Sequence, residues 1–127
     1  MRIVGTGFDQ TELERIRDAV ARFGERFLKR CFTAEEQRFC FERRDPIPSL
    51  AARYAAKEAA AKALGTGLAR GVAWTEIEVR RQRGERPTIH FSGRAKEHAE
   101  RMGVAQAHVS LTHSRELAAA MVIVESE

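Results

Sequence analysis

The sequence predicts an α+β domain in which a mainly antiparallel sheet packs against one long alanine-rich helix. Three observations predict it. Apolar residues recur at helical spacing through most of residues 11–64, and period-two alternation takes over from Trp74 onward. Between them lies a helix, Leu50 to Leu64, with eight alanines between Ala51 and Ala63. A chain of 127 residues suits one compact unit over 1–127 with a single core.

The elements follow in order. Ile3-Val4 and Phe8 suit a first strand over 2–9, whose glycines, Gly5 and Gly7, permit close backbone approach. Thr11 with Glu14 reads as a capping box opening a helix that carries Leu13, Ile16, Val20 and Phe23 on one stripe, with Gly24 as a stop or break. On a wheel, Arg15, Arg22 and, if the helix continues past Gly24, Arg26 fall near the opposite pole. Thr33 with Glu36 repeats the capping box for a helix through about Glu42. Asp45-Pro46-Ile47-Pro48 stops that helix, Ser49 caps the alanine-rich one, and Gly65-Thr66-Gly67 ends it in a left-handed C-cap. Trp74–Arg81 and Thr88–Phe91 form a hairpin about the Gly84–Pro87 turn, with Ile77 and Val79 on one side. A short helix to Met102 is closed by Gly103, followed by strands over His108–His113 and Leu117–Val124, the last largely buried.

Composition narrows the function classes. No apolar run reaches the roughly 20 residues of a membrane span, and the first residues lack the apolar core and cleavage site of a secretory signal, so a cytoplasmic protein is expected. Cys31 and Cys40 are then expected as reduced thiols rather than a disulfide, and the four histidines lack zinc spacing. Net charge is +4, carried by 18 Arg and only 4 Lys. Arginine suits bidentate contact with phosphate or carboxylate, so the basic surface fits an anionic partner: nucleic acid, a phosphorylated ligand or an acidic protein.

Two acids carry the chemistry. Glu58 and Lys62 stand four apart on one face of the alanine-rich helix, which by itself describes a surface ion pair. The surrounding alanines let a backbone or ligand come near, and the Gly-Thr-Gly segment behind Lys62 can offer N–H groups to phosphate. Asp9, one of only three aspartates, ends the Gly-x-Gly-x-Asp strand. Together Asp9 and Glu58 supply two oxygen ligands beside a cationic lysine, which is how proteins hold Mg²⁺ against phosphates.

Gly5-x-Gly7-x-Asp9, the run Arg53-Tyr54-Ala55-Ala56-Lys57-Glu58-Ala59-x-x-Lys62-Ala63-Leu64-Gly65-Thr66-Gly67, and His108-Val109-Ser110-Leu111-Thr112-His113-Ser114 resemble the holo-acyl-carrier-protein synthases, the small bacterial phosphopantetheinyl transferases. The similarity spans nearly the whole chain, and the central run is its most specific part. It implies transfer of 4′-phosphopantetheine from coenzyme A to a serine of apo acyl carrier protein, releasing adenosine 3′,5′-bisphosphate. It implies Mg²⁺ on Asp9 and Glu58, Lys62 on the phosphates, and Arg53, Gly65, Thr112 and His113 around coenzyme A. It also implies a homotrimer with sites between protomers, His113 serving a neighbour's Lys62, and an acidic carrier docked on Arg15, Arg22 and Arg26. The general base stays open between Glu58, a hydroxide on the metal and another acid such as Glu35. The family commonly has an aliphatic residue and then a hydrophobic pair around this aspartate; here the aromatic Phe8 precedes Asp9 and the polar Gln10-Thr11 follows.

Two other classes compete. A nucleic-acid-binding module fits the arginines but lacks an aromatic stripe or recognition helix. A metal-free structural oligomer would reduce Glu58 and Lys62 to a salt bridge.

Overall fold

In the computed structural model, which describes residues 1–127, five strands and five helices follow one another with the alanine-rich helix at the centre. Strand β1 (Arg2–Glu12) leads into α1 (Leu13–Phe23), α2 (Glu25–Cys31), α3 (Ala34–Phe41) and α4 (Ile47–Ala63). A single 3₁₀ turn (Trp74–Glu76) precedes β2 (Ile77–Arg80) and β3 (Thr88–Phe91), then α5 (Gly93–Met102), β4 (Gln106–His113) and β5 (Leu117–Ser126). All pairing is antiparallel, in two sheets: β1-β5-β4 and the small hairpin β2-β3.

Helix α4 lies on the three-stranded sheet, and against β1 no layer of large side chains separates the two. A Cβ at Gly7 would stand 1.8 Å from the Ala59 carbonyl oxygen, and one at Gly5 2.0 Å from that of Ala63. Only glycine on the strand and alanine on the helix allow this approach. The remaining apolar surface forms two cores that share α4, rather than the single one expected, because the helix buries opposite faces against the sheet and against α1–α3. One packs Ala55, Ala59, Ile77, Val122 and Val124 around α4, and the other packs Ile16, Phe32, Leu50 and Tyr54 beneath α1–α3. Cys31 and Cys40 are free and buried in the second core, where burial pushes each thiol up to about 11, so both stay protonated and inert at neutral pH.

Several local expectations give way to tertiary pairing. Thr11 does not cap α1: β1 runs on to Glu12, Thr11 is buried in the strand, and Leu13 N–H is held by the Glu116 carbonyl. The chain does not continue as one helix past Gly24, which adopts φ +54° and starts α2 at a new angle. Helix α4 begins at Ile47, not after Ser49; Pro46 and Pro48 occupy its first turn, where no N–H is missed, and Asp45 Oδ1 takes the Ile47 N–H at 3.1 Å. Trp74–Glu76 is a turn rather than strand. Strand β5 is largely buried as expected, with Leu117 and Met121 the exposed exceptions. The Thr33–Glu36 capping box and the left-handed Gly65 and Gly103 form as the sequence predicts. No helix is long and apolar enough to cross a membrane.

Candidate active site

The Gly7–Ala59 contact carries Asp9, two residues along β1, to the face of α4 that bears Glu58 and Lys62. Lys62 does not pair with Glu58. Its ammonium reaches across to Asp9 Oδ2 at 3.5 Å and donates to the Phe8 carbonyl at 3.2 Å. Glu58 is half-buried and left without a cationic partner of its own. Burial pushes its carboxyl up from the usual carboxylate range and the negative charge of Asp9 pushes it further, while Arg15 and Lys62 pull it back. Two carboxylates that repel each other in a half-buried cleft favour a cation between them. No third His, Cys, Asp or Glu joins them in a cluster. That donor set fits Mg²⁺, which takes one or two carboxylates and fills its remaining positions with water and phosphate oxygens.

A second cluster gathers on the other side of α4. Arg53 lies nine residues before Lys62, which places them a half-turn apart around the helix and about 14 Å along it. Arg53 is 3% exposed and stacks over Phe39 at 4.4 Å. Its Nη1 donates to its own helix at the Ser49 carbonyl (3.4 Å), and Nε and Nη2 have no partner. A buried guanidinium with two unmet donors is built for an anion. It lines a cavity of about 460 Å³ with Thr112, His113, Arg43 and Arg81. Gly65 sits instead at the C-terminal end of α4, beyond Lys62, with open space around it. Within one chain, then, the structure joins Asp9, Glu58 and Lys62, and separately Arg53, Thr112 and His113, but does not join the two groups.

The arginine row is partly rearranged. Arg15 lies over the Tyr54 ring at 5.5 Å, and Tyr54 stacks on Trp74 at 4.4 Å. Arg26, on α2, still reaches the same groove of about 410 Å³ that Arg15, Phe23 and Trp74 line. Arg22 stands on the exposed face of α1 beside Phe23. Glu35 is exposed and paired with Arg38 on α3.

Comparison with known proteins meets this geometry. A family model described as the 4′-phosphopantetheinyl transferase superfamily matches residues 5–122. The chain belongs to that superfamily.

Among the transferases it is 46% identical to the holo-[acyl-carrier-protein] synthase of Koribacter versatilis, over 97% of this chain and 98% of that one. The crystal structure of the synthase from Neisseria meningitidis superposes with a TM-score of 0.87 at 32% identity, covering 98% and 99% of the two chains. The Helicobacter pylori synthase, solved in complex with coenzyme A, matches with a TM-score of 0.83 at 28% identity over 94% and 99%.

Two features of this transferase escape the sequence. Arg43 and Arg81 join Arg53 in its cavity, though only the fold brings them together. Lys57, beside Glu58, is fully buried and bound to Glu36 Oε1 at 2.7 Å. Its one sequence signal is a second lysine, between Ala56 and Glu58, in an otherwise alanine-rich run.

Proposed function

We propose that this chain moves 4′-phosphopantetheine from coenzyme A to a serine hydroxyl of an apo acyl carrier protein, releasing adenosine 3′,5′-bisphosphate. The observation that carries this reading is the meeting of Asp9, Glu58 and Lys62 from two distant segments, in a chain of this superfamily. Asp9 and Glu58 would hold Mg²⁺. When bound, the ion supplies positive charge to the pyrophosphate oxygens as negative charge builds on the leaving group. Lys62, tethered to Asp9 and the Phe8 carbonyl, presents its ammonium to the same phosphates. The serine oxygen forms the new bond to the phosphorus that carries pantetheine; the bond from that phosphorus to the bridging oxygen breaks, and the bisphosphate departs with the electron pair. The serine proton passes to a base; Glu58 lies within the site, whereas Glu35 is exposed and engaged with Arg38. Arg53, with two unmet donors, binds an anionic end of coenzyme A beside Thr112 and His113, and Gly65 leaves open space at the end of α4.

A site needing both clusters is completed between subunits, because Arg53 and Lys62 face opposite ways on α4. The outer face of the three-stranded sheet supports a homotrimer. There Phe8 and Met121 sit opposite each other in register, 51% and 48% exposed. Met121→Glu is expected to convert trimer to monomer in analytical ultracentrifugation and to abolish transfer; an active monomer refutes the shared site.

Incubation with coenzyme A, Mg²⁺ and apo acyl carrier protein is expected to add a phosphopantetheine mass to the carrier, and EDTA to stop it. No mass gain with several carriers overturns the reading. The groove edged by Arg15 and Arg26, with Arg22 beside it, fits the acidic carrier. Reversing Arg15 and Arg22 to Glu is expected to raise KM for the carrier by about tenfold or more and leave KM for coenzyme A unchanged, most clearly at low salt. Equal carrier KM values at low salt would remove this face from docking.

A further inference from the structure

Lys57 and Glu36 have no part in the chemistry described above, yet they are the most completely buried charged pair in the molecule, each side chain 0% exposed. All three donors of Lys57 and both oxygens of Glu36 are engaged with fixed groups. The Lys57 ammonium donates to Glu36 Oε1 at 2.7 Å, to the Trp74 carbonyl at 3.0 Å and to the Ile77 carbonyl at 2.5 Å, which uses its three N–H groups. Glu36 accepts the Thr33 N–H at 2.8 Å on the same oxygen, and its Oε2 accepts the Val79 N–H at 2.8 Å. The pair therefore ties α4 to the start of α3, to the 3₁₀ turn and to β2.

We infer that the buried Lys57–Glu36 pair is a positioning device that fixes the rotation of α4 about its own axis and thereby aims Glu58 at Asp9. The inference rests on the reading of Asp9 and Glu58 as metal ligands. Around Glu58 the helix offers little else to fix that rotation: its buried neighbours there are Ala55, Ala56, Ala59, Ala60 and Ala61, and the large packed residues, Leu50 and Tyr54, lie a turn or more away. Helices lock their relative angle by ridges of side chains seated in grooves, and alanine ridges are shallow. The Gly5 and Gly7 contacts set how close the helix lies, through its carbonyl oxygens, but present no side chain for it to turn against. Arg53 stacks on Phe39 of α3, but its one hydrogen bond goes to its own helix, so it sets no directional bond to a neighbour. Lys57 is the fully buried polar side chain of α4 that reaches backbone groups of other elements, whereas Lys62, which reaches the Phe8 carbonyl, is exposed; Glu58 is the immediate neighbour of Lys57. Side-chain ends lie about 5–6 Å from a helix axis, so a turn of about 10° carries the Glu58 carboxylate about 1 Å. A displacement of that size in a reacting site costs on the order of 10²-fold in rate. Stability alone does not call for the pair, since apolar replacements of buried ion pairs are frequently neutral or stabilising.

The test is the double variant Lys57→Met with Glu36→Gln, in which methionine fills the lysine's volume and the glutamine carbonyl keeps an acceptor for one of the two amides, Thr33 or Val79, that Glu36 holds. Mn²⁺ binding to the intact protein, followed by electron paramagnetic resonance, is measured beside steady-state transfer and thermal unfolding. The expected result is an unfolding midpoint within a few degrees of wild type, Mn²⁺ affinity weakened at least about tenfold, kcat reduced by about 10–100-fold, and KM for the carrier unchanged. Wild-type Mn²⁺ affinity and kcat in a folded double variant overturn the inference. Should the double variant unfold, Glu36→Asp keeps the charge but shifts the tether by one methylene; Mn²⁺ binding weakened about threefold or more supports the inference, and unchanged binding overturns it. Glu58→Gln separates the two levels. If it binds Mn²⁺ as wild type does, the reading of the metal site falls and the inference with it; if it loses the ion while the double variant keeps it, the inference alone is refuted.

Discussion

Glu58→Gln is expected to lower the rate of carrier modification by about 10³-fold while the protein stays folded, with Asp9→Asn close behind. Glutamine preserves the shape of the side chain and removes the charge that a divalent cation needs. The same change removes a cost to the fold. Burial and the charge of Asp9 raise the Glu58 carboxyl above its unfolded value, so the folded state holds that proton more tightly than the unfolded state does. The sign follows. Below the unfolded value Glu58 is protonated in both states and contributes nothing. Between the unfolded and the raised folded value stability falls as pH rises, and above the folded value the full cost remains. Thermal unfolding without divalent cation is therefore expected to show Glu58→Gln more stable than wild type at neutral pH, by well under about 1 kcal/mol for a group this open to solvent, with the advantage vanishing in acid. A variant as active as wild type, or less stable than it at neutral pH, removes Glu58 from the ion site.

Gly7→Ala is expected to have the largest effect on stability, about 3 kcal/mol or more by urea unfolding. A methyl there would stand 1.8 Å from the Ala59 carbonyl oxygen and 2.7 Å from its carbon. Both atoms belong to helix backbone, so the clash is relieved only by pushing α4 off the sheet. Overpacked cores ordinarily lose about 1–3 kcal/mol, and this site lacks the side-chain freedom that keeps the loss small. Gly65→Ala is the internal comparison. It has open space around its Cβ but φ +76°, so only the backbone penalty of about 1–2 kcal/mol applies. A Gly7→Ala protein that loses less than Gly65→Ala would mean the helix and strand are not in backbone contact.

Much of this architecture was legible in the residues, and the failures share a cause. The Thr33 capping box, the left-handed Gly65 and the alternation through Ile77 and Val79 all rest on neighbours within a few positions, and all form. Thr11 with Glu14 offers the same local pattern, but β5 competes for that stretch, pairing through Thr11 to Ala118 and Glu12 to Leu117. A ladder of backbone bonds outweighs one side-chain cap. Spacing on a helix likewise favours Glu58 as the partner of Lys62, whereas the strand passing over the helix brings Asp9 within reach. Arg26 keeps its place on the arginine face because α2 turns back toward it, not because α1 continues. The tie between Lys57 and Glu36 crosses 21 positions and three elements, and no periodicity reports it.

The seam between β1 and α4 does more than hold the molecule together. Asp9 lies two residues beyond Gly7, and Glu58 lies one before the alanine that Gly7 touches, so the gap between the two acids is gauged by the thickness of two bare backbones. Any added carbon along that line works as a shim, widening the seat for a cation whose bonds tolerate only tenths of an ångström. The dimensions of the reacting centre are thus written in positions that carry no functional group at all.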